Sequence, residues 1–216
     1  MIKRRLAVSA LSFAIYLLIA QQVLADDLML TGFPSIVLSG GLARVKTYPM
    51  REPFDSTLKT DILDVSLEKT TLDDVVKAFG GKIRTRGDKA ASVSWVCYEV
   101  EIGNHYTHEW FIADGGTGEG KHILTTLAGE ESDDAMSGCE IGPKELMNVK
   151  LPVPALDKSN KDLEAAFGVA VSNGIIRYAH AGRSDQDGRA KLQFLVYRLK
   201  EGHITGIALV QRTSSR

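Results

Sequence analysis

The chain has 216 residues, of which 44% are hydrophobic and 25% charged, and its formal net charge is −1 at pH 7. These values are typical of one medium globular domain or two small ones, and no low-complexity tract interrupts them. The near-neutral charge argues against general binding to nucleic acid or to anionic membranes, since either would need a basic surplus.

The first 25 residues have the pattern of a cleavable secretory signal peptide. A basic start at 3–5 precedes the apolar run 6–20, and Val23-Leu24-Ala25 offers small residues at the −3 and −1 positions of a cleavage site. The run is shorter than the roughly 20 residues that span a bilayer as a helix, so an uncleaved anchor is the weaker alternative. No cysteine follows the cleavage site for lipidation. We therefore predict export without later membrane insertion.

Two cysteines, Cys97 and Cys139, are the whole cysteine content of the chain. An even number in an exported protein favours a disulfide, and only one pairing is available. Neither residue belongs to a C-x-x-C motif, and no histidine lies three to five residues away, so a metal site is the weaker alternative. We expect the bond to stabilise the fold by about 3–4 kcal/mol.

The exported part begins with an arm over residues 26–62 that is predicted to be extended. Ser35 to Leu38 is its candidate strand. The first clear helix follows, with Thr70 or Thr71 as N-cap and two aspartates in the first turn, where the helix dipole favours negative charge. Its apolar residues recur at helical spacing, and Gly80 ends it.

The helix is followed by β-rich runs over 93–102, 108–113 and 123–128. The acidic stretch 130–139 comes next and is predicted to be a loop. Pro152-Val153-Pro154 then forms a stiff linker.

The same order of elements recurs after the linker. Ser159 is a predicted N-cap, and the heptapeptide 162–168 repeats 74–80 with four of its seven positions identical. β-rich runs follow at 174–180, 191–199 and 203–209. We therefore predict an α+β fold of two tandem units, residues 63–150 and 151–216, each with a short helix packed on an antiparallel sheet of three to four strands. A chance likeness between two helix endings is the alternative.

This pattern resembles the helix-plus-antiparallel-sheet module of β-lactamase-inhibitor-protein-like folds and small outer-membrane assembly lipoproteins. The features that carry it are the leucine-led turns, short helices and Phe-Gly endings of 67–80 and 156–168. The resemblance implies tandem units and, by analogy, a concave surface for docking to a protein. The chain departs from it in having no cysteine in the second half and no lipidated N-terminal cysteine. The resemblance thus implies fold more than function.

No segment carries a convincing catalytic motif. Gly115 to Lys121 fits half of a phosphate-binding loop, but His122 stands where a Mg²⁺-holding Ser or Thr is needed, and strand-like residues follow in place of a helix. We predict a hairpin loop there. A carboxylate pair for glycoside hydrolysis leaves little mark in a sequence and stays open.

Histidines are the other candidates for chemistry. His105 and His108 sit near Glu109, but residues three apart in a strand point to opposite faces, which disfavours a shared zinc ion. A turn at Gly103-Asn104 is the arrangement that would bring them together. We predict no catalytic residue, no metal and no cofactor.

Binding to another protein is the leading functional hypothesis, because a disulfide would hold the acidic stretch in place and interfaces favour Trp and Tyr. The candidate contact residues are Trp95, Tyr106, Glu130, Glu131, Asp133 and Asp134. A merely solvated acidic loop and core positions for the aromatic residues are the alternatives, and Trp110 is expected in the core.

We therefore expect a periplasmic or secreted protein that inhibits or neutralises another protein and is not an enzyme. An envelope assembly accessory or chaperone is the first alternative. A small periplasmic hydrolase or ligand carrier is the second, and a deep pocket with converging carboxylates would favour it.

Overall fold

A computed structural model describes residues 29–87, 92–115, 122–182, 186 and 188–215 of the chain. The helices are α1 (Gly32–Leu38), α2 (Leu72–Phe79) and α3 (Asn160–Phe167), and a 3-10 helix covers Lys144–Asn148. The first strands are β1 (Thr47–Pro49), β2 (Thr57–Leu58), β3 (Val65–Ser66), β4 (Arg84–Arg86), β5 (Val93–Ile102) and β6 (His105–Asp114). They are followed by β7 (Thr126–Ser132), β8 (Glu140–Ile141), β9 (Gly174–Ala181), β10 (Arg189–Lys200) and β11 (His203–Ser215).

One nine-stranded mixed sheet dominates the described chain. Its order is β1-β9-β10-β11-β7-β6-β5-β4, with β8 also pairing to β5, while β2 and β3 form a separate two-stranded sheet. The contacts of β1 with β9 and of β8 with β5 are parallel, and the others in the large sheet are antiparallel.

The prediction of two tandem helix-on-sheet units is wrong. Strand β7, from the first half, pairs with β11, from the second, between Thr126–Glu130 and Gly206–Val210. The strands of both halves therefore belong to one sheet. The physical reason is that two separate sheets would each leave an edge of unpaired backbone groups here, and pairing the two edges satisfies both.

The predictions of the short helices are confirmed. Thr71 is the N-cap of α2, where its backbone N–H donates to the Asp74 carboxylate at 2.9 Å and its hydroxyl accepts from the Asp74 N–H at 3.1 Å. Helix α3 begins after Ser159, whose N–H donates to Asp162 at 2.8 Å. Such reciprocal capping is local in sequence, which is why the spacing of these residues predicts it.

Two local predictions are wrong. Ser35 to Leu38 lie in helix α1 and not in an extended arm, because Phe33 at its start is fully buried under the sheet and sets the direction of the chain. Glu130 and Glu131 lie inside β7, which runs to Ser132 and pairs with β6 along its whole length. The acidic loop therefore begins only after the strand.

The sheet is covered on both faces. On one, which we call the helical face, α2, α3 and the segments 50–70 and 143–158 enclose a continuous core, with Phe111, Leu127 and Leu209 at its centre. On the other, which we call the N-terminal face, residues 30–45 cover a smaller core built around Trp95 and Trp110. Trp110 is 2% exposed, which confirms its predicted core position.

The predicted disulfide is present between Cys97 and Cys139, 42 residues apart. It joins β5 to the segment before β8 on the N-terminal face of the sheet. Disulfides are typical of oxidising compartments, so the bond is consistent with export.

Candidate functional site

A pocket of about 360 Å³ opens on the helical face, between the sheet and the segment 146–157. Residues of β5, β6, β7 and β11 form its floor, and Leu146, Val149, Leu151 and Leu156 line the opposite side. This volume lies in the range of small-molecule sites, which are mostly apolar with a few placed polar groups. We call it the carboxylate pocket because Glu109, Glu131 and Asp157 line it.

Glu109 is the most unusual of the three acids. It lies on β6 between Thr107 and Phe111 on the face that otherwise carries core residues. Burial raises the pKa of its carboxyl group to about 8. Within the described parts of the chain, no hydrogen bond or ion pair engages this carboxyl group, so it faces the pocket as a largely protonated acid at neutral pH.

Glu131 and Asp157 lie at the mouth and are exposed. Partial burial raises the pKa of Glu131; His105 and His203 oppose this rise, and Asp157 adds to it. Asp157 accepts a hydrogen bond from Lys158 at 2.7 Å, which balances part of its charge. The mouth is therefore acidic overall, with two imidazoles at its margin.

Gly129 keeps the floor of the pocket open. It pairs with Glu109 across β6 and β7, and a side chain here would point into the space below Leu156. A Cβ at this position would lie 3.4 Å from the nearest Leu156 methyl carbon and 3.7 Å from an Ile207 methyl carbon. Space, and not backbone conformation, is thus what the glycine provides.

The N-terminal face carries a polar row across five adjacent strands. Glu99, His108, Glu130, Gly206 and Arg198 occupy successive paired positions on β5, β6, β7, β11 and β10. His108 Nε2 lies 3.0 Å from Glu99 Oε2, and the Glu130 carboxylate forms an ion pair with the Arg198 guanidinium at 3.0 Å.

The row holds the N-terminal segment on the sheet. The Phe33 N–H donates to Glu130 at 3.0 Å, and the Arg198 guanidinium lies over the Phe33 ring, 5.3 Å from its centre. The Met136 N–H donates to the other end of the row, at Glu99. Apart from His108 Nδ1, which is buried without a hydrogen-bond partner, these polar groups are paired within the fold and serve its structure.

A second pocket, of about 280 Å³, lies beside the disulfide on the N-terminal face. Arg84, Trp95, Trp110 and the segment 137–139 line it together with Met29 and Thr31. Among the described residues that line it there is no carboxyl group and no histidine, and Arg84 already has a partner. It therefore offers fewer polar groups for binding a ligand than the carboxylate pocket does.

The structure separates the six predicted contact residues. Trp95 and Glu130 are buried, at 2% and 5% exposure, and Tyr106 is half-buried, stacked on the His108 ring. Glu131, Asp133 and Asp134 are exposed around the end of β7, where Asp133 lies 2.9 Å from His105. Of these residues, Glu131 alone lines the carboxylate pocket.

Sequence reasoning missed Glu109 and Asp157 as a site. For Glu109 a signal exists, because strand alternation places it on the same face as Phe111 and Ala113, where a charged residue breaks the apolar pattern. Asp157 has no such signal, since it reaches the pocket only through the path of the segment after β8.

Other sequence predictions meet the structure only in part. The predicted signal peptide, residues 1–25, lies outside the described residues, as does most of the predicted hairpin loop 115–121. His105 and His108 both belong to β6, His105 exposed and His108 fully buried. Among the described residues, no cluster of three or more His, Cys, Asp or Glu has the arrangement to hold a metal ion, and no helix has the length and apolarity to cross a membrane.

Neither a family model, nor a curated protein sequence, nor a solved structure matches this chain. The carboxylate pocket is therefore interpreted from its own geometry.

Proposed function

We propose that the protein is an exported ligand carrier, periplasmic or secreted, which binds a small, largely apolar molecule in the carboxylate pocket. The observation that carries the proposal is a pocket of about 360 Å³ whose walls are apolar and into which an unpartnered acid, Glu109, is set. A carboxyl group that is largely desolvated and has no protein partner is costly to ionise, so such groups are candidate functional positions.

Location in the fold supports this function. The pocket lies where β7 and β11 join, in the middle of the sheet, so its floor is rigid. Its other wall is the irregular segment 146–157, whose backbone pairs with Lys59 at Lys150 and whose apolar side chains, such as Leu146, pack against the core. A rigid floor facing an irregular segment is an arrangement that admits a ligand without unfolding the sheet.

Binding of another protein, with inhibition as its consequence, stays a prediction from the sequence. So do the assembly-accessory alternative and the resemblance to the β-lactamase-inhibitor-protein-like module. No contact described above favours one of them over the ligand carrier.

The test is binding of a neutral apolar fluorescent probe, N-phenyl-1-naphthylamine, to the purified exported protein. We expect saturable fluorescence enhancement with one site, and its loss in Ala155→Phe, because Ala155 lines the pocket and a phenyl ring there would fill it. Ala135→Phe is the matched control, since Ala135 is exposed in the loop after β7.

Both variants are first compared with the parent protein by circular dichroism and thermal unfolding. Probe binding that is absent in the parent protein, or that survives Ala155→Phe in a folded variant, would contradict the proposal.

A further inference from the structure

The charges around the carboxylate pocket all have one sign. Glu109, Glu131 and Asp157 line it, and no Lys, Arg or His from the described parts of the chain does so. Outside the lining, Lys158 pairs with Asp157 at 2.7 Å, and His105 and His203 act on Glu131 at the mouth. No basic group pairs with Glu109 within the described residues, so an anionic head would meet an acidic lining, whereas a cationic head is attracted.

The two glutamates are placed to share one group. Thr107 pairs with Glu131 and Glu109 pairs with Gly129, so the glutamates are diagonal neighbours on one face of β6 and β7. Diagonal positions in an antiparallel pair lie about 7–8 Å apart, which leaves room for one ammonium between two carboxyl groups. An ammonium has three donors and no acceptor, which suits a site made only of acceptors.

The rest of the pocket suits an alkyl chain. Beyond the acids, the lining is almost wholly aliphatic or aromatic, and includes Leu58, Val100, Phe111, Leu127, Ile207 and Leu209. A divalent cation fits poorly, since it takes six or more oxygen ligands and no group of acids among the described residues has the arrangement to hold a metal ion.

Resting on the proposed function, we propose that the ligand is a primary alkylamine, whose ammonium group lies between the Glu109 and Glu131 carboxyl groups while its chain lies against the apolar walls.

Proton release follows from this placement. At pH 7 the Glu109 carboxyl is mostly protonated, because burial holds its pKa near 8. An ammonium beside it favours the charged form, so binding expels this proton to solvent. The other titratable groups around it are Glu131 from β7 and Asp157 from the opposite segment, with His105 and His203 acting on Glu131. Affinity for the amine should therefore rise between pH 6 and pH 8, as Glu109 ionises in the free protein.

The experiment is isothermal titration calorimetry with octylamine, octanol and octanoate, in two buffers of different ionisation enthalpy. We expect octylamine to bind at least about tenfold more tightly than octanol, with octanoate weakest, because charge-assisted hydrogen bonds exceed neutral ones. The buffer dependence should report release of part of one proton per amine bound at pH 7.

Three variants distinguish the contributions of Glu109 and Glu131 to amine binding from the effect of removing any negative charge. Glu109→Gln should remove both the preference for the amine and the proton release, while Glu131→Gln, at the exposed mouth, should weaken amine binding by about threefold. Glu101→Gln is the matched control, since Glu101 is exposed on β5 and Glu101 pairs with Tyr106, away from the pocket lining. It should stay within about twofold of the parent protein.

The outcomes distinguish this inference from the proposed function. Octanol or octanoate binding as tightly as octylamine, with Ala155→Phe blocking all three, would overturn the amine head group and leave the carrier in place. Amine preference that persists in Glu109→Gln would also overturn it. Failure of all three ligands and of the neutral probe to bind would overturn both.

Discussion

The Glu130 carboxylate and the Arg198 guanidinium meet at 3.0 Å across the width of β11, over Gly206. Glu130 is on β7 and Arg198 on β10, so neither is on a neighbouring strand of the other. Gly206 pairs with both, and its missing side chain leaves the path between them clear. This ion pair joins the strands of the two halves of the chain on the N-terminal face.

Removal of Arg198 should be more damaging than removal of the Glu130 charge. Arg198→Met leaves the nearly buried Glu130 carboxylate with only the Phe33 N–H, which should lower the free energy of unfolding by about 3 kcal/mol. Glu130→Gln keeps an acceptor for Phe33 and leaves an arginine that is partly solvated, so its cost should be about 1–2 kcal/mol. Urea unfolding measures both.

The control for the ion pair is Arg212→Met. Arg212 pairs with Asp114, and its side chain is 46% exposed, so the loss should stay below about 1 kcal/mol. Equal losses for the Arg198 and Arg212 variants would show that the bridge over Gly206 contributes no more than a surface pair.

Substitution by alanine should destabilise the protein to different extents at two glycines in adjacent strands. A Cβ at Gly206 would lie 3.1 Å from the Phe33 ring and 3.2 Å from the Arg198 Cβ, both held in place, so Gly206→Ala should cost about 1–3 kcal/mol. A Cβ at Gly129 meets nothing closer than 3.4 Å, so Gly129→Ala should cost less than about 1 kcal/mol.

Gly129→Ala should nevertheless weaken probe binding, because its methyl group enters the carboxylate pocket. Unfolding curves and probe titrations of Gly129→Ala and Gly206→Ala test whether the space above Gly129 is the ligand site. A Gly129→Ala protein that is strongly destabilised, or that binds the probe like the parent, would mean that the space above Gly129 is not the ligand site.

Reduction of the Cys97–Cys139 bond should lower stability by about 4 kcal/mol, since it closes a loop over 42 residues of sequence. The measurement is the urea midpoint with and without dithiothreitol. The double variant Cys97→Ala/Cys139→Ala should have the same urea midpoint as the reduced protein, and dithiothreitol should not change that midpoint. If the reductant shifts the double variant as well, the effect does not come from this disulfide.

Stability should fall with pH because of Glu109. Its pKa is about 8 in the folded protein, against 4.5 for an unperturbed glutamate, so the folded state keeps a proton that the unfolded state has lost. The contribution is complete below pH 4.5 and disappears as pH rises to about 8, with a slope of at most about 1.4 kcal/mol per pH unit. Above pH 8 both states are ionised and no further loss follows.

Glu109→Gln should flatten this part of the profile. The variant should equal the parent near pH 4 and exceed it in stability at pH 8, as followed by urea unfolding across the range. Glu101→Gln, at an exposed position, should leave the profile unchanged. If the free energy of unfolding changes between pH 5 and pH 8 by the same amount in the parent protein and in Glu109→Gln, the pH dependence does not come from Glu109.

Elements with local causes were predictable from the sequence. Helix α2 depends on Thr71 and Asp74, three residues apart, and β5 on an unbroken β-rich run, so both appear at their predicted places. The disulfide was predictable because two cysteines allow one pairing. The only signal for Glu109 in the sequence was a charged residue on the apolar face of an alternating strand.

The joining of the two halves was decided by tertiary structure alone. β7 and β11 pair because each satisfies the unpaired backbone groups at the edge of the other. These backbone groups do not depend on residue type, so the sequence does not indicate which edges will pair. The same holds for Ser35 to Leu38, whose β-branched residues favour a strand but whose neighbour Phe33 is buried beneath the sheet.

The amino-acid sequence by itself determined the capped helices α2 and α3 and strands such as β5, because capping and alternation act over a few residues. The tertiary structure decided that these strands make one sheet and that Glu109, Glu131 and Asp157 line one pocket. The reason is that the pocket is formed by residues up to 151 positions apart, from Leu58 to Leu209, whose approach depends on how the whole sheet is assembled.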